Sequence, residues 1–191
     1  MHQKTHQTAV VIIPPKEIWA SIQLIRQQHD TNYRRWMPHI TLMYPFCPRT
    51  EFDLVADQLS QTCQSQSPFW ICLKLFRFFS HHRSRYTIWL DPQPPSSTLG
   101  TSSHRQNPIK DLQKDLWKTI PDCDNTRRFK NGFTPHLSVG QAASKLNLDH
   151  FLSQFQLEWQ PLTFHVSEVY LIWRNDPPND VFEVARTITF S

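Results

Sequence analysis

Apolar residues along this chain recur with two periods, and the alternation between those periods predicts a mixture of strands and helices built on sheets. Residues 8–13 form a short run of buried-strand character, stopped by Pro14 and Pro15. Ile18, Trp19, Ile22 and Ile25 are spaced as one face of a helix over 16–28, with proline just ahead of its first turn. Strand character returns over 39–46, and Phe52, Val55, Ala56 and Leu59 predict a second helix over 51–64. The runs 69–79 and 85–90 read as an antiparallel hairpin, Tyr86, Ile88 and Leu90 alternating with Arg85, Thr87 and Trp89. Residues 91–108 are rich in Pro, Ser and Thr and have no period, which predicts a long exposed loop near the middle. Beyond it the order repeats, with a helix over 109–120, a strand from His136, a helix over 144–155, and two long β runs over 162–173 and 181–190.

The repetition becomes specific at two places. Arg34-Arg35-Trp36-Met37-Pro38 precedes His39-Ile40-Thr41-Leu42, and Arg127-Arg128-Phe129 comes shortly before Thr134-Pro135-His136-Leu137-Ser138-Val139. Both stretches carry paired arginines, an aromatic, a proline directly before histidine, and then His-apolar-hydroxyl-apolar. They lie about half the chain apart, which predicts two similar lobes within one domain spanning residues 1–191, each supplying one histidine. On a strand, the two-residue period puts His39 and Thr41 on one face, and His136 and Ser138 likewise. Ile40, Leu42, Leu137 and Val139 then point the other way, into a core. Each strand can thus present one titratable nitrogen and one hydroxyl to a shared cleft.

Composition narrows the chemistry. The 191 residues include only three glycines, Gly100, Gly132 and Gly140, and no pair has the spacing of a dinucleotide-binding or P-loop phosphate cradle. The four cysteines form no Cys-x-x-Cys pair and no zinc spacing, and read as reduced thiols in a cytoplasmic setting, with the nucleus as the alternative compartment. The longest apolar run near the start is too short for a membrane span. With 20 Lys and Arg against 16 Asp and Glu, the formal charge of +4 favours an anionic partner of small footprint. No obligatory protein partner is evident.

With its two matched motifs, the chain resembles the 2H phosphoesterase superfamily, also called the 2′-5′ RNA ligase-like or cyclic phosphodiesterase family. The resemblance implies a bilobal, pseudo-two-fold α+β fold in which two mainly antiparallel sheets surround a central cleft, with helices outside. It also implies metal-independent chemistry on phosphodiesters with a vicinal hydroxyl, notably RNA 2′,3′-cyclic phosphates. Many members carry an arginine two residues after the second motif, where this chain has Gln141. Reaction chemistry points the same way: two histidines flanking phosphorus can divide general-base and general-acid work, since their reference pKa of about 6.5 lies near working pH. Thr41 and Ser138 would donate hydrogen bonds to the non-bridging oxygens. No metal or other cofactor is expected. Which histidine is the base stays open, with a lean to His136.

Basic and aromatic residues around both motifs, as on single-strand binding platforms, mark Tyr44, Arg128 and Lys130 as candidate substrate contacts, and the resemblance adds Gln141, which stands where many members carry an arginine. RNA ends or small cyclic nucleotides are the expected substrates. Three functions remain from sequence: a cyclic phosphodiesterase, a 2′-5′ or 3′-5′ RNA phosphodiesterase or 2′-5′ RNA ligase, and a noncatalytic RNA-binding module. Elsewhere, His81-His82-Arg83 reads as an exposed turn, His165 as a core residue sharing a face with Val169 and Leu171, and Arg186 as pointing either to an edge or into the cleft.

Overall fold

The computed structural model describes residues 3–95, 107–126 and 132–191. Arg128, Lys130 and most of the expected 91–108 loop lie outside the described residues. Among the described residues, eight strands form two four-stranded antiparallel sheets. The first has the order β2 (Ile40–Met43), β1 (Thr8–Ile12), β7 (Glu168–Trp173), β8 (Glu183–Thr189). The second has the order β5 (Leu137–Ala142), β4 (Arg85–Gln93), β3 (Phe69–His81), β6 (Leu162–Val166). This is the α+β, two-sheet architecture expected from the sequence.

Each sheet is drawn from both halves of the chain. Strands β3 and β4 come from the first half yet join the sheet that carries His136, and β7 and β8 return from the second half to the sheet that carries His39. The expected long run over 162–173 is therefore two strands. Ser167 alone separates β6 from β7, and across it the chain passes from one sheet to the other. That crossing reverses the alternation: Phe164 and Val166 are buried before it, Val169 and Leu171 after it. His165, expected in the core, is exposed and lies against Trp70.

Four helices back the sheets among the described residues, α1 (Trp19–His29), α2 (Phe52–Cys63), α3 (Pro108–Thr119) and α4 (Lys145–Glu158). Phe52, Val55, Leu59 and Cys63 give α2 a continuous buried stripe at helical spacing. The Asn107 side chain caps α3 by accepting from the Ile109 N–H, with Pro108 in the first turn, and Ser144 caps α4 by accepting from Asn147 N–H. The helices are exchanged between sheets. Helix α1 lies in sequence between β1 and β2 but packs on β5, and α3, between β4 and β5, packs on β2 and α2.

One contiguous core joins the inner faces of both sheets to the four helices. It includes Ile40, Leu42, Leu137 and Val139, all fully buried, as the motif alternation requires. A second, smaller cluster lies on the opposite face of the first sheet, where Ala9, Val11, Ile172 and Phe182 are covered by Trp36, Met37, Tyr44 and Tyr170. Strands β2 and β5 each form one edge of their sheets and meet one another.

Candidate active site

The two motif histidines precede their strands by one residue and are held in the same way. His39 Nδ1 lies 2.7 Å from the carbonyl oxygen of Met37, and His136 Nδ1 lies 2.8 Å from that of Thr134. A carbonyl can only accept, so each Nδ1 carries a proton. The neutral imidazoles are thereby fixed in the tautomer whose Nε2 has a free lone pair. The proline that precedes each histidine, Pro38 and Pro135, is buried and keeps the chain extended into the strand.

Aromatic rings wall both imidazoles, one against His39 with a second behind it, and two against His136. Trp36 stacks on His39 at 4.5 Å between centroids, and Phe182 stacks on Trp36 at 3.7 Å. Phe79 and Trp89, stacked on one another, both present edge-on contacts to His136. Trp89 faces Ser138 across the β4–β5 ladder, so both side chains share one face with the histidine. These walls exclude water from the charged form of either ring. Burial pulls the His39 pKa down to about 4, with the charges of Arg26 and His136 acting in the same direction. Burial lowers that of His136 as well, against the stabilising contact to Thr134. The Thr41 and Ser138 hydroxyls are half-buried and have no hydrogen-bond partner among the described residues, leaving both free to donate to a ligand.

A buried network ties the two motifs together. Arg26, 2% exposed, donates to the Asp30 carboxylate at 2.8 Å and to the carbonyl of Trp36 at 2.9 Å. Asp30 also accepts from Gln141 Nε2, whose carbonyl accepts from the Thr31 N–H and hydroxyl. Both ends of the Gln141 amide are thus occupied in joining β5 to the end of α1. The fit of α1 on β5 depends on Gly140, where an added Cβ would stand 2.8 Å from the His29 Cβ.

Tyr44 sits beside the first motif, half-buried, edge-on to Trp36, its hydroxyl donating to the carbonyl of His6. Asp124 and Gln113 anchor the turn before the second motif: Asp124 accepts from the Thr126 N–H and hydroxyl and from Gln113, and the Asn125 N–H donates to the carbonyl of Tyr44. Among the described residues no cluster of three or more His, Cys, Asp or Glu could hold a metal ion. Nor is any described helix long and apolar enough to cross a membrane. His81–Arg83 form an exposed turn as expected, and Arg186 is exposed, paired with Asp53 of α2.

Sequence reasoning missed Phe79, Trp89, Phe182 and the Arg26–Asp30 pair. The pair's four-residue spacing on α1 was visible, but its burial was not, because that follows from α1 packing on a strand of the other sheet.

The sequence matches the 2′-5′ RNA ligase superfamily over residues 14–178. The chain belongs to this family. A candidate phosphoesterase of Geobacillus kaustophilus (strain HTA426) is 26% identical over 150 residues, covering 78% of this chain and 77% of that one. Among solved structures, a Thermus thermophilus protein superposes with a TM-score of 0.62 at 13% identity, over 96% of this chain and 97% of its own. Escherichia coli LigT, solved with 3′-AMP, gives 0.60 at 15% identity, over 97% and 98%. These structural likenesses show the 2H fold. Membership of the superfamily supports phosphoesterase activity for this chain.

Proposed function

We propose that this phosphoesterase opens 2′,3′-cyclic phosphates at RNA ends, using His39 and His136 as a general base and a general acid. The observation that carries the reading is the matched pair of Nδ1–carbonyl hydrogen bonds, which leaves one free Nε2 on each motif. In hydrolysis, one Nε2 takes a proton from water as the water oxygen bonds to phosphorus. The ribose oxygen that leaves takes the proton of the other, protonated imidazole, giving a phosphomonoester and a hydroxyl. Thr41 and Ser138 donate to the non-bridging oxygens, on which negative charge is concentrated in the transition state. Tyr44, beside the first motif, would supply a ribose or base contact. The binding of 3′-AMP by LigT, which shares this fold, supports a nucleotide-sized ligand in the cleft.

The test is incubation, in EDTA, with a short RNA ending in a 2′,3′-cyclic phosphate. A 2′- or 3′-monophosphate product is expected, whereas shortening of the strand would favour cleavage of internal linkages, and binding without turnover a noncatalytic role. His39→Ala and His136→Ala should each lower kcat by about a hundredfold or more, the scale of general acid–base catalysis, with a smaller change in KM. Wild-type turnover in either variant would overturn the mechanism.

A further inference from the structure

The wall of the first sheet continues past the histidine to a group that the mechanism above does not use. His39, Trp36 and Phe182 form a continuous ring stack, and the guanidinium of Arg174 lies over the far ring, 5.6 Å from its centroid. The Arg174 N–H donates to the carbonyl of Gln7, so it continues the strand alternation of β7. Its side chain therefore shares the face of Tyr170 and Ile172, the face that carries the Trp36 cluster. Its charge acts on the Tyr44 hydroxyl.

Four arginines around the fold are paired, and Arg174 is not among them. Arg26, Arg35, Arg77 and Arg186 each meet an aspartate. Among the described residues Arg174 has no carboxylate within ion-pair distance, and its Nε is buried without any hydrogen-bond partner. The guanidinium is half-buried, and at its exposed end Nη1 donates to the carbonyl of Asn175 at 3.1 Å, so the Nε is the donor left unmet. A buried donor without an acceptor is costly, and an anion drawn to the guanidinium offsets that cost. Beside it opens a cavity of about 490 Å³ lined by Arg174, Lys4, Arg49, Trp173, Gln7 and Asp176. Trp173 faces the other way and packs on the main core, with Arg49 flat over its ring, 3.5 Å from the centroid; the cavity lies at the end of β7, where Trp173 and Arg174 both line it. The single carboxylate among these six, Asp176, is engaged by Gln7 Nε2 at 2.8 Å, so three cations outweigh it.

We propose that Arg174, with Lys4 and Arg49, forms a second phosphate site that takes the strand backbone 5′ of the reacting end. The distance fits. His39 lies at the Ile12–Ile40 end of the β1–β2 pair and the cavity at the Thr8–Trp173 end of β1. Four residue steps of strand span about 13 Å. A 2′,3′-cyclic phosphate is by its chemistry a 3′ terminus, so any remaining strand runs away from it in the 5′ direction. The site would make the protein select oligonucleotide ends over free cyclic mononucleotides. This inference rests on the cyclic-end reading for its substrate, but the anion site can be tested apart from that reading.

Two measurements test it. In the first, kcat/KM is compared for a trinucleotide and a mononucleotide, both ending in the same 2′,3′-cyclic phosphate. The wild-type protein should favour the trinucleotide by about tenfold, the yield of one charge-assisted contact, through KM. Arg174→Gln should bring that ratio to near one. In the second, anisotropy of a labelled trinucleotide with an unreactive 3′-hydroxyl is followed against salt. Arg174→Gln should reduce the log–log slope by about 0.7, one single-strand phosphate contact, and Arg174→Lys should restore it. Should Arg174→Gln fail to fold, the Lys4→Gln/Arg49→Gln double variant carries the same expectations. No cyclic-phosphate turnover together with a reduced slope would remove the proposed reaction and keep the site. An unchanged slope and an unchanged ratio would overturn the site whatever the reaction, and competition by inorganic phosphate without any length preference would reduce it to a free-anion site.

Discussion

At the scale of single residues, the two imidazoles are placed alike, and both are held below their ordinary pKa by burial against aromatic rings. The direction has a kinetic consequence. Acid–base catalysis by a histidine pair needs one ring protonated, and in the free protein that proton leaves as pH rises through a value lower than 6.5. The alkaline limb of kcat/KM should therefore fall below pH 6.5. A bound phosphate favours the imidazolium, so the alkaline limb of kcat should stand at higher pH. Coincident limbs above 6.5 in both profiles would show that the aromatic walls do not control the pair. His39→Ala and His136→Ala, measured at residual activity, assign the roles, because loss of the base removes the acid limb and loss of the acid removes the alkaline one. The motif residues were legible in the sequence because period-two alternation around His-x-Thr and His-x-Ser needs no tertiary knowledge. Trp89 and Phe182 were not, because only strand pairing brings Trp89 beside His136 and only a return of the chain brings Phe182 onto Trp36. Arg174 carries no sequence signal at all, since its significance lies in the carboxylate it lacks.

At the scale of elements, the contact of α1 with β5 sets the position of the second motif. Gly140→Ala would drive a Cβ against the His29 Cβ and backbone. Neither neighbour is the end of a flexible chain, so thermal or denaturant unfolding should show a loss of about 1–3 kcal/mol, typical of overpacking. Displacement of β5 should lower turnover as well, since His136 and Ser138 flank the same strand start. A stability unchanged within error would mean that α1 is not seated as described. Most helix and strand positions were legible from periodicity, including the four helices to within a few residues. The break at Ser167 was not, because β6 and β7 are both apolar and nothing local marks a change of sheet; unbroken alternation therefore puts His165 on the wrong face. Gln141 shows the converse. Its position relative to the motif was visible, while its engagement with Thr31 and Asp30 depends on α1 lying across the other sheet.

At the scale of the whole molecule, the exchange of strands and helices joins the two walls into one cooperative unit. Neither sheet can come apart without removing strands that arrive from the other side, and one core runs through both. Denaturant unfolding should be a single transition, coincident by tryptophan fluorescence and far-ultraviolet circular dichroism. Two separable transitions would show that the walls fold independently. The repeated motif pointed to a doubled architecture, and the two matching sheets bear that out. The midpoint of the chain, however, is not where one sheet ends and the other begins, because strand pairing follows the returning chain.

The one-residue passage at Ser167 acts as a short tether between the walls. A link of this length has almost no slack, and it is braced where the Phe190 N–H donates to the Ser167 carbonyl. The two sheets are thereby fastened at this point by main chain as well as by the core they share. A substitution that lengthens this link would be felt first in the register of β6 against β3 and of β7 against β1, on the far side of both sheets from the motif strands.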